Sequence, residues 1–173
     1  MSRFFAAKLG RMTADEVDLL VEAWRRERSG LDLEPVEVFS RISRLSRRLD
    51  LARRDSFAEH GIESWEFDVL AALRRAGRPY QLSPGALLRE TLVTSGTMTN
   101  RVDRLATRGL VLRSPDPNDR RGVLVGLTPA GRRVVDAAFE SLIERERALL
   151  TELDTTERGD LALLLKKLMA PLA

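Results

Sequence analysis

The segment from Thr94 to Thr128 constrains the fold of this chain more than any other part of the sequence. Its first half, TSGTMTNRVDRLATRGLV, carries apolar residues at helical spacing and closes with a glycine. Its second half, LRSPDPNDRRGVLVGLT, places two short apolar runs around a tip of Pro, Asp, Asn and Arg. A helix followed directly by a charged β-hairpin is typical of a winged helix-turn-helix, which reads a DNA major groove with the helix and the adjacent minor groove with the hairpin.

Apolar residues at helical spacing predict helices on both sides of this segment, so we expect a mostly α fold with a small β wing. Thr13 and Ser64 are the predicted N-caps of two of these helices. We expect N-terminal helices over residues 1–60, a winged helix-turn-helix DNA-binding domain over 61–131 and C-terminal helices over 132–173. The apolar faces of the two terminal regions pack within the chain or against a second copy, and we expect them to form a dimerisation region.

Composition limits the chemistry that this chain offers. It has no cysteine and one histidine, which excludes disulfides, thiolate zinc sites and multi-histidine metal sites. It also lacks a glycine-rich phosphate loop and a serine nucleophile motif, so we expect neither an enzyme nor a cofactor. The net charge is only +3, yet the stretch from Thr94 to Arg133 holds eight Arg and three Asp. This basic stretch coincides with the expected DNA-reading unit.

The sequence gives no sign of membrane insertion or export. No run approaches the roughly 18 uninterrupted apolar residues of a membrane span. The first residues lack the apolar core of a signal peptide, because Lys8 and Arg11 interrupt them. We therefore expect a cytoplasmic protein without a membrane partner.

The helical part of the Thr94–Thr128 segment has two faces. Met98, Val102 and Leu105 fall on one side of a helical wheel and are expected to face the core. The expected DNA-contacting residues are Ser95, Thr97, Thr99, Asn100 and Arg104 on the helix, with Arg120 and Arg121 on the wing. Asn suits adenine, and Arg suits guanine, phosphate or a narrow minor groove. The alternative is an ordinary solvated helix face.

With these residues in view, the chain resembles the MarR family of bacterial transcription regulators. The resemblance rests mainly on Asp119-Arg120-Arg121, on the run Leu127-Thr128-Pro129-Ala130-Gly131, and on Leu105 with Gly109-Leu110-Val111. It implies a winged-helix homodimer joined by its terminal helices. It also implies a palindromic DNA operator, usually repression, and release by a small ligand.

A narrower resemblance is to the PecS and urate-responsive branch of that family. It rests on Trp24, on the phrase Glu66-Phe67-Asp68-Val69-Leu70 and on Thr99-Asn100-Arg101. Regulators of this branch surround a urate-sized anion with a Trp, an Asp and two Arg, which match Trp24, Asp68, Arg101 and Arg113. The resemblance thus implies a small anionic ligand such as urate or xanthine. A different aromatic or carboxylic acid stays open as the ligand.

The residues themselves give partial support to this pocket. Arg101 lies only about 60° from the centre of the apolar stripe, where a guanidinium needs an anion. Asp68 supplies one as a structural salt bridge, or holds Arg101 until a ligand anion replaces it. Trp24 offers a surface for a planar ring and Arg113 a second positive charge. Packing of Trp24 in a dimer interface, and constitutive DNA binding without a ligand, remain alternatives.

Overall fold

The computed structural model describes residues 14–91 and 94–170, without the side chains of Ser95 and Arg120. Within these ranges the chain forms seven helices and three strands. The helices are α1 (Glu16–Glu27), α2 (Glu34–Glu59), α3 (Ser64–Arg75), α4 (Pro84–Thr91), α5 (Ser95–Thr107), α6 (Pro129–Leu149) and α7 (Thr155–Met169). The strands are β1 (Gln81–Leu82), β2 (Val111–Asp116) and β3 (Asp119–Leu127). The expected mostly α fold with a small β wing is confirmed.

The chain divides into two compact units, and the boundary falls after Asp50 within α2. In the first unit, the Asp15 side chain caps α1 by accepting from the backbone N–H groups of Val17 and Asp18. Arg41 of α2 donates to Asp15 Oδ2 at 2.8 Å and to Asp18 Oδ1 at 2.6 Å, and its hydrogen bond lowers the pKa of Asp15 to about 2. Thr13, the predicted cap, lies outside the described residues. Among residues 14–50 of this unit, Val17, Val21 and Leu33 are buried.

The second unit holds the main core. Helices α3, α5 and α6 contribute most of its buried side chains, and the antiparallel sheet, in the order β1-β3-β2, contributes Val111 and Val125. Phe57 of α2 is also buried here, and its ring stacks on that of Phe67 with centroids 4.2 Å apart. One face of helix α5 therefore packs against a continuous apolar core.

The start of α6 packs closely against the turn that follows α5. The Thr128 hydroxyl donates to Gly109 O at 2.7 Å and accepts from Gly131 N at 3.0 Å, which caps α6 and fixes its start beside the turn after α5. A β-carbon added at Gly131 would lie 2.0 Å from the backbone oxygen of Leu110. The run from Leu127 to Gly131 is thus a packing junction in which only glycine fits at the last position.

The last two helices expose much of their apolar surface. Phe139 and Ile143 of α6 are exposed, and α7 has no buried residue. The large apolar residues of α7 are between 37% and 66% exposed, namely Leu161, Leu163, Leu164, Leu165, Leu168 and Met169. Even so, no helix in the described part of the chain is long and apolar enough to span a membrane.

Candidate nucleic-acid interface

Helix α5 presents the two faces that the sequence predicts. Met98, Val102 and Leu105 are each at most 1% exposed and pack into the main core. The opposite face is exposed and carries Gly96, Thr97, Thr99, Asn100, Asp103 and Arg104. This surface offers the hydroxyl, amide and guanidinium groups that recognise base edges and phosphates.

The first turn of α5 begins at an N-cap residue that does not cap the helix with its side chain. Thr94 is the N-cap residue in an extended conformation, and its side chain makes no capping hydrogen bond to the first turn. Its hydroxyl instead lies 2.9 Å from that of Thr97. The backbone N–H groups of a helix start carry a partial positive charge, which favours a phosphate at this position. Ser95 begins α5, but its side chain lies outside the described atoms.

The wing is a regular antiparallel hairpin up to its tip. Its strands pair from Val111 opposite Leu127 to Pro115 opposite Val123, and an irregularity follows between Pro115 and Asp116. Such an irregularity bends the hairpin and redirects the side chains beyond it.

Two aspartates shape the wing tip through the backbone. Asn118 N donates to Asp116 Oδ1 and Arg121 N donates to Asp119 Oδ1, each at 2.9 Å. A β-carbon at Gly122 would lie 2.8 Å from the Asp116 β-carbon, so the turn closes tightly here. The Arg121 side chain is exposed, whereas that of Arg120 lies outside the described atoms. The tip therefore holds Arg121 on a short, stiff support.

A groove beside α5 contains an aromatic ring that the sequence analysis did not single out. The guanidinium carbons of Arg104 and Arg101 lie 4.6 Å and 5.5 Å from the ring centroid of Trp65. Glu63 binds both neighbours: its Oε2 accepts from Trp65 Nε1 at 2.9 Å, and its Oε1 accepts from Arg104 Nη2 at 2.9 Å. The groove has a volume of about 580 Å³ and is lined by Glu63, Trp65, Gly96, Thr97, Asn100, Arg101 and Arg104.

An ion pair between exposed Arg108 and buried Glu66 anchors the end of α5 to the start of α3. Glu66 is 1% exposed, and Arg108 Nη1 donates to its two carboxylate oxygens at 2.6 Å and 2.5 Å. Arg108 Nη2 also donates to Gly61 O at 2.7 Å. Glu66 in turn accepts from the backbone N–H of Glu63, which occupies the N-cap position of α3, so the cap lies one residue before the predicted Ser64. Removing Arg108 would leave the buried Glu66 carboxylate without its charged partner, whereas Arg108 itself is 42% exposed.

The four residues expected around a ligand lie on four different elements. Arg101 of α5 stacks over Trp65 and does not form the direct salt bridge with Asp68 of α3 that the sequence suggested. Desolvation raises the pKa of Asp68, and the charge of Arg101 partly opposes this rise. Arg113 of β2 donates to Asp103 of α5 at 2.8 Å. Trp24 of α1 is 47% exposed and belongs to the other compact unit.

Gly96 offers a direct test of which surface meets DNA. A β-carbon at this position would have no side-chain or tertiary neighbour within 4 Å, so Gly96→Ala should fold normally and gain up to about 1 kcal/mol from helix propensity. If this face meets DNA, the added methyl group should hold the helix away from the bases. Binding should then weaken by about tenfold, the effect of losing one good contact. Thermal melting and gel retardation measure the two effects separately. Gly159→Ala in α7, also in open space, is the control, and equal DNA binding by both variants would contradict the assignment.

The chain is similar in sequence to known transcription regulators. A sequence model described as the MarR family matches residues 60–122, which run from the end of α2 into the wing. The chain is 37% identical over 150 residues to the transcriptional regulator PecS of Dickeya dadantii, covering 87% of this chain and 90% of PecS. This likeness supports the resemblance to the PecS branch.

Two solved structures show the same fold. A MarR variant from Escherichia coli complexed with operator DNA matches with a TM-score of 0.67 and 29% identity, covering 79% of this chain and 96% of the other. BpsR of Bordetella bronchiseptica, whose DNA binding is regulated by 6-hydroxynicotinic acid, matches with a TM-score of 0.64 and 28% identity. That match covers 77% of this chain and 93% of BpsR.

Proposed function

Because this chain belongs to the MarR family of transcription regulators, we propose that it binds a palindromic DNA operator as a homodimer and represses transcription until a small anionic ligand releases it. The observation that carries the proposal is the exposed polar face of α5 followed directly by a stiff wing that bears Arg121. The relatives are regulators, which confirms the expectation that the protein is not an enzyme. This role would be performed in the cytoplasm.

In this proposal α5 enters the major groove. The Asn100 amide matches the paired donor and acceptor of adenine, and Arg104 matches guanine or a phosphate. Ser95, Thr97 and Thr99 bind the phosphates that flank the groove, where the positive end of α5 adds to the attraction. Arg121 and its neighbour Arg120 reach the minor groove, whose potential is most negative where it is narrow.

The exposed apolar surfaces support the homodimer. The leucine side chains of α7 and Phe139 of α6 are exposed in the single chain, and clustered exposed apolar side chains favour a protein–protein contact. We assign the dimerisation region to 1–60 and 132–173, on either side of the DNA-binding domain at 61–131. A two-fold dimer would set its two α5 helices about 34–36 Å apart, so its operator would be palindromic.

For the ligand, we propose Trp24, Asp68, Arg101 and Arg113 as the residues that recognise a planar anion such as urate or xanthine. The contacts of α5 support a link to DNA release: Arg101 lies on this helix, and Arg113 binds its Asp103. An anion that draws either guanidinium away would change the position of α5. The second candidate is an aromatic carboxylic acid, which is favoured by the 6-hydroxynicotinic acid response of BpsR.

Two measurements with the parent protein test this function. First, the protein is used to select short duplexes from a randomised pool, and a palindromic consensus is expected. Second, thermal melting is followed with urate, xanthine, 6-hydroxynicotinate and no ligand, because a ligand that binds only the folded state raises the melting temperature. Release of the selected duplex by the same compound would complete the assignment. Failure to select any sequence would overturn operator binding.

The pocket assignment makes a separate prediction. Trp24→Ala and Arg101→Ala should each leave a folded dimer but raise the ligand concentration needed for DNA release by about tenfold or more, as expected when one stacking or charge-assisted contact is lost. Gel retardation with increasing ligand measures the release, and size-exclusion chromatography checks the dimer. A parent-like response in both variants would show that the pocket lies elsewhere.

A further inference from the structure

Arg104, one of the expected DNA-contacting residues, is already held by another anion in the free protein. Its Nη2 donates to Glu63 Oε1 at 2.9 Å, and both side chains remain more than half exposed. A carboxylate offers a guanidinium the same kind of charged oxygen acceptor as a phosphate does. Glu63 therefore occupies a donor of Arg104 that a DNA phosphate would otherwise take.

Trp65 fixes this arrangement in place. Its Nε1 donates to the second carboxylate oxygen of Glu63, so the acid is tethered beside α5 rather than free to rotate away. Its ring lies under the guanidinium groups of both Arg104 and Arg101. Arg104 is thus able to exchange one anion for another while it stays stacked on the indole.

We propose that Glu63 is an internal competitor for DNA phosphate, positioned by Trp65, that holds Arg104 in the free protein and lowers the affinity of the α5 surface for DNA. The inference rests on the proposed function, since it requires α5 to meet DNA. Exposed ion pairs are weak, so an arriving phosphate displaces Glu63.

Glu63→Gln is the central test, because it removes the charge and keeps the size of the side chain and an acceptor for Trp65. We expect binding to a duplex selected by the parent protein to tighten about two- to fivefold, the range of an exposed ion pair. The slope of log affinity against log salt should steepen by up to about one, because in the parent the displaced Glu63 carboxylate takes up a cation and offsets part of the counterion release. Glu63→Ser, which removes the charge and keeps a good N-cap residue, should tighten binding to a similar degree.

A double-mutant cycle distinguishes competition for Arg104 from a general charge effect. In an Arg104→Gln background the gain from Glu63→Gln should disappear, since there is no guanidinium left to release. Glu146→Gln is the matched control, because Glu146 also pairs with an arginine, Arg53, at 3.1 Å but lies on α6. Its binding should equal that of the parent.

Each other outcome overturns the inference. Unchanged or weaker binding by both Glu63 variants, or an equal gain in the Arg104→Gln background, would show that Glu63 does not compete for this guanidinium. This failure can be distinguished from failure of the proposed function. If the parent protein binds its selected duplex and the variants show no gain, only the competition by Glu63 is rejected. Parent protein that selects no duplex at all removes both.

Discussion

Gly131→Ala is expected to lower the free energy of unfolding by about 2–4 kcal/mol, because an added β-carbon meets a closer neighbour here than at any other described glycine. The added β-carbon would lie 2.0 Å from Leu110 O, far inside van der Waals contact. That oxygen belongs to backbone and accepts from Thr128 N, so it cannot move aside as a flexible side chain would. The start of α6 and the turn after α5 must therefore separate.

Urea denaturation followed by circular dichroism measures this loss. Gly159→Ala makes the same change in α7, where a β-carbon meets nothing within 4 Å, and should stabilise that helix by up to about 1 kcal/mol. Equal midpoints for the two variants would show that the junction has room that the geometry denies.

Arg121→Ala is expected to weaken operator binding by more than about tenfold and to reduce the salt slope by about one. The Arg121 side chain is exposed at the end of a hairpin whose backbone is fixed by Asp116 and Asp119, so the substitution should not disturb folding. A guanidinium in a narrow minor groove gains from the concentrated negative potential there. The loss should therefore be largest on duplexes with an A·T-rich segment beneath the wing.

Fluorescence anisotropy over a series of salt concentrations measures both quantities. Arg147→Ala removes the same charge from an exposed position near the end of α6 and controls for net charge. Arg120→Ala tests the neighbouring wing position. If binding is parent-like in both wing variants, the hairpin takes no part in DNA recognition.

The sequence predicted those features that depend on local periodicity. Met98, Val102 and Leu105 recur at helical spacing, which was enough to orient α5 and to separate its core face from its polar face. The hairpin was equally clear, because turn residues stand between two apolar runs. In both cases the pattern lies within a few consecutive turns or strands.

The sequence did not predict the contacts within the groove, because these contacts join residues that are far apart in the chain. Glu63 and Arg104 are 41 residues apart, and nothing in either neighbourhood indicates that α3 brings them together. Trp65 gave at most a weak signal, as an aromatic residue in the first turn of a helix. The sequence pairs Arg101 with Asp68 and gives no indication that Trp65 lies beside the same guanidinium.

Because α5 is anchored at its C-terminal end, a small rotation of the helix displaces its N-terminal end most. Arg108, just past its last turn, is clamped to Glu66 and Gly61, while Gly96 stands twelve positions earlier, about 18 Å away along the axis. A tilt of a few degrees about the clamped end therefore moves the opposite end by more than an ångström. Hydrogen bonds to base edges tolerate only a few tenths of an ångström. A small displacement near Arg108 would thus be enough to break contacts between the N-terminal end of α5 and DNA.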